Sequence, residues 1–231
     1  QVTSQYAAST ASNMYIVAGD TVLGGGLFNI TTAGSLAIQT FQTVAGASVY
    51  YDSVTVASSG NIYAGGYYNG NSAWMVKYNS SGSVIWSKSL DFFIYDTRGV
   101  VTDSSENLYI CGNYVSGSTY GTSNSRLMVA KLNSSGAVQW QKQYGSGVDG
   151  YRVGTVAQYG SLVYAVCSYQ NSSFSRFGTL VAFNTSDGSI NFQNSFPGNA
   201  FFEYIAASPT TGNLYISGQS TNNRSLLIKT N

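Results

Sequence analysis

The sequence contains no histidine and little charge: its 231 residues include 10 Lys or Arg and 9 Asp or Glu, together 8%. Ordinary soluble domains carry about 25% charged residues. Without histidine the chain has no Ser-His-Asp or Cys-His catalytic arrangement and no histidine-bound metal. The basic residues stand singly and the net charge is +1, whereas nucleic-acid binding needs clustered positive charge. We therefore expect no nucleic-acid partner.

Long apolar runs and cysteines are scarce as well. No stretch approaches the ~20 apolar residues that span a bilayer, so the sequence predicts no membrane insertion. The two cysteines, Cys111 and Cys167, are too few for a disulfide framework in a chain of this size. We interpret both as small buried hydrophobes. We expect no cofactor.

What the sequence does have is a repeat. The phrase Asn-apolar-Tyr occurs four times, and a looser copy stands between the third and the fourth. The tyrosines of the five copies are 48, 46, 55 and 51 residues apart. A period of about 50 residues is typical of arrays of identical structural units. The tyrosines are Tyr15, Tyr63, Tyr109, Tyr164 and Tyr215.

A second phrase follows each of the first four copies. A glycine-containing turn, such as Asn79-Ser80-Ser81-Gly82, is followed four residues after the glycine by a large apolar residue. We interpret these apolar residues, together with three of the tyrosines, as packing between units rather than as cofactor-stacking groups. Lysines that recur in phase indicate a structural role too. The packing set is Ile38, Trp86, Trp140, Phe192, Tyr63, Tyr109 and Tyr215, and the lysines are Lys77, Lys131 and Lys229.

Each unit predicts four short antiparallel strands joined by hairpin turns, in the second unit over 52–57, 62–66, 74–78 and 83–90. The fold class is therefore all-β: a β-propeller of four-stranded blades, with five blades of which the last is incomplete. The units of this single domain span about 1–45, 46–91, 92–145, 146–197 and 198–231. A two-sheet sandwich is the alternative. Either the five blades close into a ring, or the chain is a piece of a longer protein.

The units resemble the bacterial and phage β-propeller repeat family known as SBBP-type. The resemblance rests on the Gly-Asn-x-Tyr strand and the Lys-x-Asn-x-x-Gly-x-x-x-Trp segment of the second unit, and on a similar set in the third. The glycine-to-tryptophan spacing is also similar to the docking motif of quinoprotein propellers, although no quinone clamp can be located here. The resemblance implies blade packing and not an activity. The residues are Gly60, Asn61, Tyr63, Lys77, Asn79, Gly82 and Trp86, then Asn107, Tyr109, Gly112, Lys131, Asn133, Gly136 and Trp140.

One face of such a propeller carries short uniform turns, and the other carries loops that vary and are rich in Tyr and Asn. Variable loops of this composition suit recognition. We expect a display or attachment module, not an enzyme, of a phage virion appendage or a bacterial surface protein. It would be extracellular or on the virion surface and would bind cell-surface glycan or protein. The candidate residues are Tyr67, Tyr68, Asn69, Phe93, Tyr95, Tyr114, Tyr120, Arg126, Tyr151, Tyr169, Phe174 and Arg176.

Other interpretations stay open. The loops could vary only because nothing constrains them, and the chain could be a purely structural virion or filament subunit that contacts copies of itself. A carbohydrate-active hydrolase or lyase needs two carboxylates about 5–10 Å apart, for which Asp149 with Glu203, or Asp96 with Asp149, are candidates. Asp52, Asp96 and Glu203 near the starts of first strands could ring a cation. They are out of register, so we expect no metal site.

Overall fold

The structure is a computed structural model in which every described regular element is a β-strand. None of the described segments is a helix of the length and apolarity needed to cross a membrane. The described residues are 6–10, 13–20, 24–31, 33–42, 49–68, 72–90, 96–115, 125–145, 150–170, 176–196, 200–220 and 224–230.

The strands form five antiparallel sheets, and in each sheet neighbours in sequence are neighbours in space. The first sheet is β1 (Tyr6–Ser9), β2 (Asn13–Asp20), β3 (Gly24–Thr31) and β4 (Leu36–Gln42). The second is β5 (Val49–Val56), β6 (Ile62–Tyr68), β7 (Ser72–Tyr78) and β8 (Val84–Leu90). The third is β9 (Asp96–Thr102), β10 (Leu108–Val115), β11 (Ser125–Leu132) and β12 (Val138–Tyr144). The fourth is β13 (Gly150–Tyr159), β14 (Leu162–Gln170), β15 (Arg176–Asn184) and β16 (Ile190–Phe196), and the fifth is β17 (Phe201–Ala207), β18 (Leu214–Ser220) and β19 (Arg224–Thr230).

The all-β class and the four-stranded antiparallel sheets that the repeat predicts are confirmed. The two-sheet sandwich does not form, because the described strands pair in five separate sheets. The turns between first and second strands and, in the four-stranded sheets, those between third and fourth strands lie at the same end of the sheets, which we call the turn face. The opposite end, where second strands run into third strands, we call the loop rim.

The repeated Asn-Ser-Ser-Gly phrase forms a hairpin turn on the turn face. In the second sheet the amide of Gly82 donates to the carbonyl of Asn79 (3.0 Å), and Asn79 Oδ1 accepts from the amides of Ser81 (3.1 Å) and Ser83 (2.9 Å). Gly82 has φ +84°, a left-handed conformation that costs glycine little. The turn at Asn133–Gly136 of the third sheet repeats these bonds. The phrase therefore recurs because it satisfies the backbone of a tight turn.

Successive sheets pack face to face through alternate side chains of each strand. Four apolar clusters join the first sheet to the second, the second to the third, the third to the fourth and the fourth to the fifth. We call the face toward the following sheet the forward face, represented in the second sheet by Tyr63 and Met75. The other is the rear face, represented in the third sheet by Leu108 and Ile110.

The first strands of the second to fifth sheets come together at the centre. Residues from all four of these strands line one cavity, among them Thr55, Val101, Ala157 and Ala206. Among the described residues, no strand of the first sheet contacts the fifth sheet to the extent that joins neighbouring sheets.

A β-bulge interrupts the pairing of the first strand in the second, third, fourth and fifth sheets. In each of the four it adds one residue to the first strand. In three of them a single unpaired residue can be named: Asp52 between Tyr51 and Ser53, Arg98 in β9, and Glu203 in β17. Bulges bend a strand and turn a side chain in a new direction. The bulged residues therefore lie at corresponding positions of the first strands.

The two cysteines form no disulfide, and both are fully buried. The sequence puts them at nearly equivalent places, but the registers differ by one residue. Cys111 is two residues after Tyr109, on the forward face of the third sheet, whereas Cys167 is three after Tyr164, on the rear face of the fourth. Both therefore pack in one cluster between these sheets. Burial raises the pKa of the Cys167 thiol to about 12.

Candidate functional site

On the turn face, a carboxylate of the third sheet binds side chains of the second. Glu106 Oε2 accepts from Tyr63 Oη (2.8 Å) and Lys77 Nζ (3.0 Å), and Asn61 Nδ2 donates to both carboxylate oxygens at 3.2 Å. Burial opposes ionisation of Glu106, but hydrogen bonds from Ser59 and from these three residues outweigh it and lower its pKa to about 2. Glu106 has φ 58°, a conformation uncommon for any residue other than glycine.

The lysine and tryptophan of the repeat bind backbone carbonyls of the following sheet. Lys77 Nζ (3.3 Å) and Trp86 Nε1 (3.1 Å) donate to the carbonyl of Ser134, in the turn between β11 and β12. One sheet further on, Lys131 Nζ (2.9 Å) and Trp140 Nε1 (3.1 Å) both donate to the carbonyl of Thr185. These side chains link neighbouring sheets.

The repeat tyrosines of the second and third sheets pack against these lysine and tryptophan side chains. Tyr63 and Tyr109 lie 6.1 and 6.2 Å from the rings of Trp86 and Trp140, and the lysine ammonium groups lie over the tyrosine rings. Tyr109 Oη donates to Asp103 Oδ2 (3.0 Å), and burial followed by the charge of Asp103 raises the pKa of Tyr109.

The remaining members of the packing set occupy the same phase. Phe192 lies 6.3 Å from Tyr164 in the fourth sheet. Tyr215, Lys229 and Phe192 are exposed, and Ile38 lies on β4 opposite Asn29. The fourth sheet has Ala182 opposite Tyr164 where the second and third have lysine.

At the loop rim, the second sheet carries two pairs of aromatic rings. Tyr50 stacks on Tyr67 with 5.1 Å between ring centroids and 20° between planes. Tyr68 meets Trp74 edge to face at 5.4 Å, and Ser89 Oγ donates to Tyr68 Oη (3.3 Å). All four rings are half-buried. Each therefore presents part of its surface to solvent while packing holds its orientation.

The third and fourth sheets continue this arrangement. Tyr114 lies opposite Arg126, whose guanidinium donates to Gln143 Oε1 (3.0 Å). In the fourth sheet Tyr169 stacks on Phe177 with 4.9 Å between centroids and 15° between planes. The aromatic rim, defined as the rings of these three sheets, therefore combines stacked rings with a guanidinium and an amide. Its members are Tyr50, Tyr67, Tyr68, Trp74, Tyr114, Tyr169 and Phe177.

In the first and fifth sheets the second and third strands lack aromatic residues at the matching positions, whereas Phe201 of β17 stands where the second sheet has Tyr50. The second strand of the first sheet ends at Asp20 opposite Gly24, and that of the fifth ends at Ser220 opposite Arg224. Among the described residues, aromatic rings at the ends of second strands therefore occur only in the three middle sheets.

Other candidates from the sequence are placed only in part. Tyr151 lies on β13 opposite Tyr169, and Arg176 lies on β15 opposite Gln170. Five further rim candidates lie outside the described residues: Asn69, Phe93, Tyr95, Tyr120 and Phe174.

The acidic residues considered for a cation do not occupy matching positions on the first strands. Asp52 and Glu203 occupy bulges in the second and fifth sheets, but the corresponding residue of the third sheet is Arg98, and Asp96 lies two residues earlier. Arg98 and Glu203 line one cleft with Thr155. Among the described residues no three His, Cys, Asp or Glu side chains are grouped to hold a metal ion. Asp149 lies outside the described residues.

Two sets of residues in these sites were not found from the sequence: the carboxylate Glu106, and three rings of the aromatic rim. Glu106 occurs in one repeat alone, and its neighbours in space come from the preceding repeat, so no phrase marks it. Tyr50, Trp74 and Phe177 become rim residues only through the cross-strand register. Alternation within each strand together with the turn positions could have found these three.

No protein-family model matches the sequence, and no curated protein matches it significantly. Solved structures are similar in fold. Hydrazine synthase of Kuenenia stuttgartiensis matches 95% of this chain and 62% of its own, with a TM-score of 0.67 and 11% identity. Semaphorin 1b of Drosophila, extracellular domains 1–2, matches 97% and 51%, with a TM-score of 0.61 and 10% identity. A variant of Synechocystis apocarotenoid oxygenase matches 94% and 55%, with a TM-score of 0.56 and 9% identity.

The chain thus spans between half and two thirds of the length of these proteins, and the fold is propeller-like. The prediction that the chain is not an enzyme is wrong in its reasoning from the fold. An oxygenase and a synthase have a similar fold. At these identities the likeness shows the fold alone and transfers no activity. The resemblance to SBBP-type repeats stays a prediction.

Proposed function

We propose that the chain is a propeller-type recognition module that binds cell-surface glycans through its aromatic rim. In this proposal each sheet is one blade, the fifth blade having three strands. The module belongs to a phage virion appendage or a bacterial surface protein, and it acts outside the cell or on the virion surface. A chain with 8% charged residues and 19 tyrosines is consistent with recognition through rings and amides rather than through charge.

One observation carries the proposal: three neighbouring sheets place half-buried aromatic rings at the same end of the molecule. Tyr67, Tyr68 and Tyr169 each lie against another ring, at centroid distances between 4.9 and 5.4 Å. A ring that is already held in place loses little conformational freedom when a ligand stacks on it.

The chemistry of the rim fits a sugar. The apolar face of a pyranose stacks on an aromatic ring, and its hydroxyl groups bond with guanidinium and amide groups. Arg126 and Gln143 provide such groups beside Tyr114. Each contact is weak, but several along one rim, or several modules on one particle, raise the apparent affinity together.

The test begins with a glycan array and continues with titration of the bound glycan. We expect Tyr169→Leu and Tyr68→Leu to weaken binding about 10-fold each, because leucine keeps apolar volume but removes the aromatic face. Tyr169→Phe keeps the ring and should retain most of the affinity. Thermal melting of each variant checks that the fold is intact.

Tyr215→Ala is the matched control, since this exposed tyrosine lies away from the rim, toward the turn face. It should leave glycan binding unchanged. The proposal fails if the array shows no binding at high protein concentration. It also fails if Tyr169→Leu and Tyr215→Ala weaken glycan binding equally. It fails as well if the chain binds a cell-surface protein and no glycan.

A further inference from the structure

A cleft between the first strands of the third, fourth and fifth sheets is lined by side chains of opposite charge. Arg98 of β9 and Glu203 of β17 line it together with Thr155 of β13, and its volume is about 180 Å³. The whole chain has 10 basic and 9 acidic residues. One residue of each kind therefore lines this one small space.

Both charged residues of the cleft are bulge residues. Arg98 is added to β9 and Glu203 to β17, and the strand registers skip both positions. A bulge turns a side chain away from the direction that strand alternation would give it. Both residues are half-buried. Water therefore screens the two charges less than it would on an open surface, which strengthens their attraction for a ligand.

Hydrogen bonds between the fourth and fifth sheets hold the backbone on both sides of Glu203. The amide of Phe202 donates to Ser168 Oγ (2.7 Å), and the amide of Ile205 donates to Thr155 Oγ1 (2.9 Å). These amides belong to the residue before Glu203 and to the second residue after it. The carboxylate is therefore carried by a backbone that is fixed before a ligand arrives, which lowers the entropic cost of binding.

The backbones of β13 and β17 also touch at this point. A Cβ placed on Gly154 would lie 2.6 Å from the Glu203 carbonyl oxygen, so glycine is what lets the two strands come this close. Thr155, the next residue, lies against β17. Its oxygen accepts from the Ile205 amide, and its hydroxyl hydrogen, which that bond does not use, can donate to a ligand.

Aromatic residues line the cleft beside the carboxylate. Tyr204 is 52% exposed and Phe201 is half-buried. The face of an aromatic ring attracts a cation. The cleft thus has donors for an anionic group on Arg98 and Thr155, and a carboxylate with neighbouring rings for a cationic group.

We propose that this cleft binds a small zwitterion, a molecule with one carboxylate and one ammonium group such as an α-amino acid. Arg98 and Thr155 donate to the carboxylate, and Glu203 accepts from the ammonium group. The guanidinium has five N–H donors, so its contacts elsewhere leave donors for the ligand. A ligand with a single charge would bring that charge close to a like charge of the protein, whereas a zwitterion matches both.

The size of the cleft fits such a ligand. Sites for drug-sized molecules have volumes of about 300–1,000 Å³, and this cleft has about 180 Å³. None of its residues belongs to the aromatic rim, so the site is separate from the proposed glycan site. Tyr169→Leu should therefore leave zwitterion binding unchanged.

The test is isothermal titration calorimetry of the purified chain with each of the common α-amino acids, up to about 20 mM to reach weak affinities. We expect at least one of them to bind. Its N-acetyl derivative, which lacks the ammonium group, and its amide, which lacks the carboxylate, should each bind at least about 10-fold more weakly, because each loses one charge-assisted contact.

Two variants assign these contacts to their residues. Glu203→Gln should weaken binding of the amino acid about 10-fold but leave the N-acetyl derivative unaffected, since that derivative has no ammonium group for the carboxylate to hold. Arg98→Gln should weaken the amino acid similarly and leave the amide unaffected. Circular dichroism and melting check folding, and Arg98→Lys, with a smaller expected loss, serves if Arg98→Gln does not fold.

Lys142→Gln and Asp187→Asn are the matched controls, because both residues are exposed and neither lines the cleft. They should bind the amino acid like the wild type. The proposal is overturned if no amino acid binds, or if the derivatives bind as tightly as the parent. It is also overturned if the cleft variants behave like the controls, or if methyl glycosides bind in the cleft and amino acids do not.

Discussion

The contact between the second and third sheets differs from that between the fourth and fifth. At the first, Lys77 and Trp86 donate to the Ser134 carbonyl, and Glu106 accepts from the lysine. At the second, Ala182 and Phe192 stand at the corresponding positions, and neither side chain can donate a hydrogen bond. The polar links described there use backbone amides instead: Ile205 N to Thr155 Oγ1 (2.9 Å) and Phe202 N to Ser168 Oγ (2.7 Å).

This difference teaches that the lysine and the tryptophan of the repeat act as one unit with a turn of the following sheet. The second and third sheets, which carry both donors, are each followed by a sheet with a turn between third and fourth strands, whereas the first sheet has Asn29 and Ile38 at the donor positions although the second sheet has such a turn. The fifth sheet has three strands, and the sheet before it carries alanine and phenylalanine. Apolar packing remains at both interfaces.

The largest effect is expected when the large apolar residue that follows the turn glycine by four positions is replaced by alanine. Trp140→Ala should lower the free energy of unfolding by about 3–4 kcal/mol, because it leaves a cavity and the Thr185 carbonyl loses a donor. Phe192→Ala, at a residue that is 36% exposed, should cost about 1 kcal/mol. Urea unfolding followed by circular dichroism measures both. Equal losses would mean that the two interfaces rely on this residue alike.

A pair of glycines tests the packing of the tryptophan against its turn. A Cβ at Gly188 would lie 2.6 Å from the Trp140 ring, whereas one at Gly34 would meet nothing within 4 Å. Both have positive φ, +71° and +80°. Gly34→Ala therefore reports backbone strain alone, about 1 kcal/mol, and Gly188→Ala should cost about 2–3 kcal/mol.

Chemical denaturation of the two glycine variants gives these values. If both variants lose the same stability, the Trp140 ring moves aside freely and the turn does not hold it.

The carboxylate gives a pH-dependent test. Glu106→Gln should lower stability by about 1–2 kcal/mol at pH 7, because a charged acceptor of several hydrogen bonds is lost. The pKa of Glu106, about 2, lies below its ordinary value of 4.5, so its contribution is complete above pH 4.5 and is lost as the pH falls toward 2. The stability difference between wild type and variant should shrink over that range.

Melting temperatures from pH 7 down to 2 measure this difference. A constant gap between wild type and Glu106→Gln would show that the charge of Glu106 does not contribute.

The smallest effect is expected at the edge of the same interface. Lys88 Nζ donates to the Ser135 carbonyl (2.7 Å) and lies over the Trp86 ring. Because water competes for such a contact, Lys88→Ala should cost about 0.5 kcal/mol or less. A loss as large as that of Glu106→Gln would place the lysine among the main contacts of the interface.

The period of the tyrosines predicts the sheets, and the glycine turns predict the hairpins, because both depend on residues close together in the chain. Tyr67, Tyr68, Tyr114 and Tyr169 could be assigned to one end of the sheets for the same reason. Glu106 could not be found, since its partners belong to another repeat. The place of the bulged residues could not be found from the sequence either, since Arg98, and not Asp96, occupies the position that matches Asp52.

These bulges have a consequence for protein engineering. A bulged residue is added to the ladder, so its type is not restricted by the size of a side chain opposite it. Asp, Arg and Glu already occupy this place in three sheets. These three positions are therefore suitable for introducing new functional groups. Histidine, which the chain lacks, could be placed there while the strand pairing on either side stays the same.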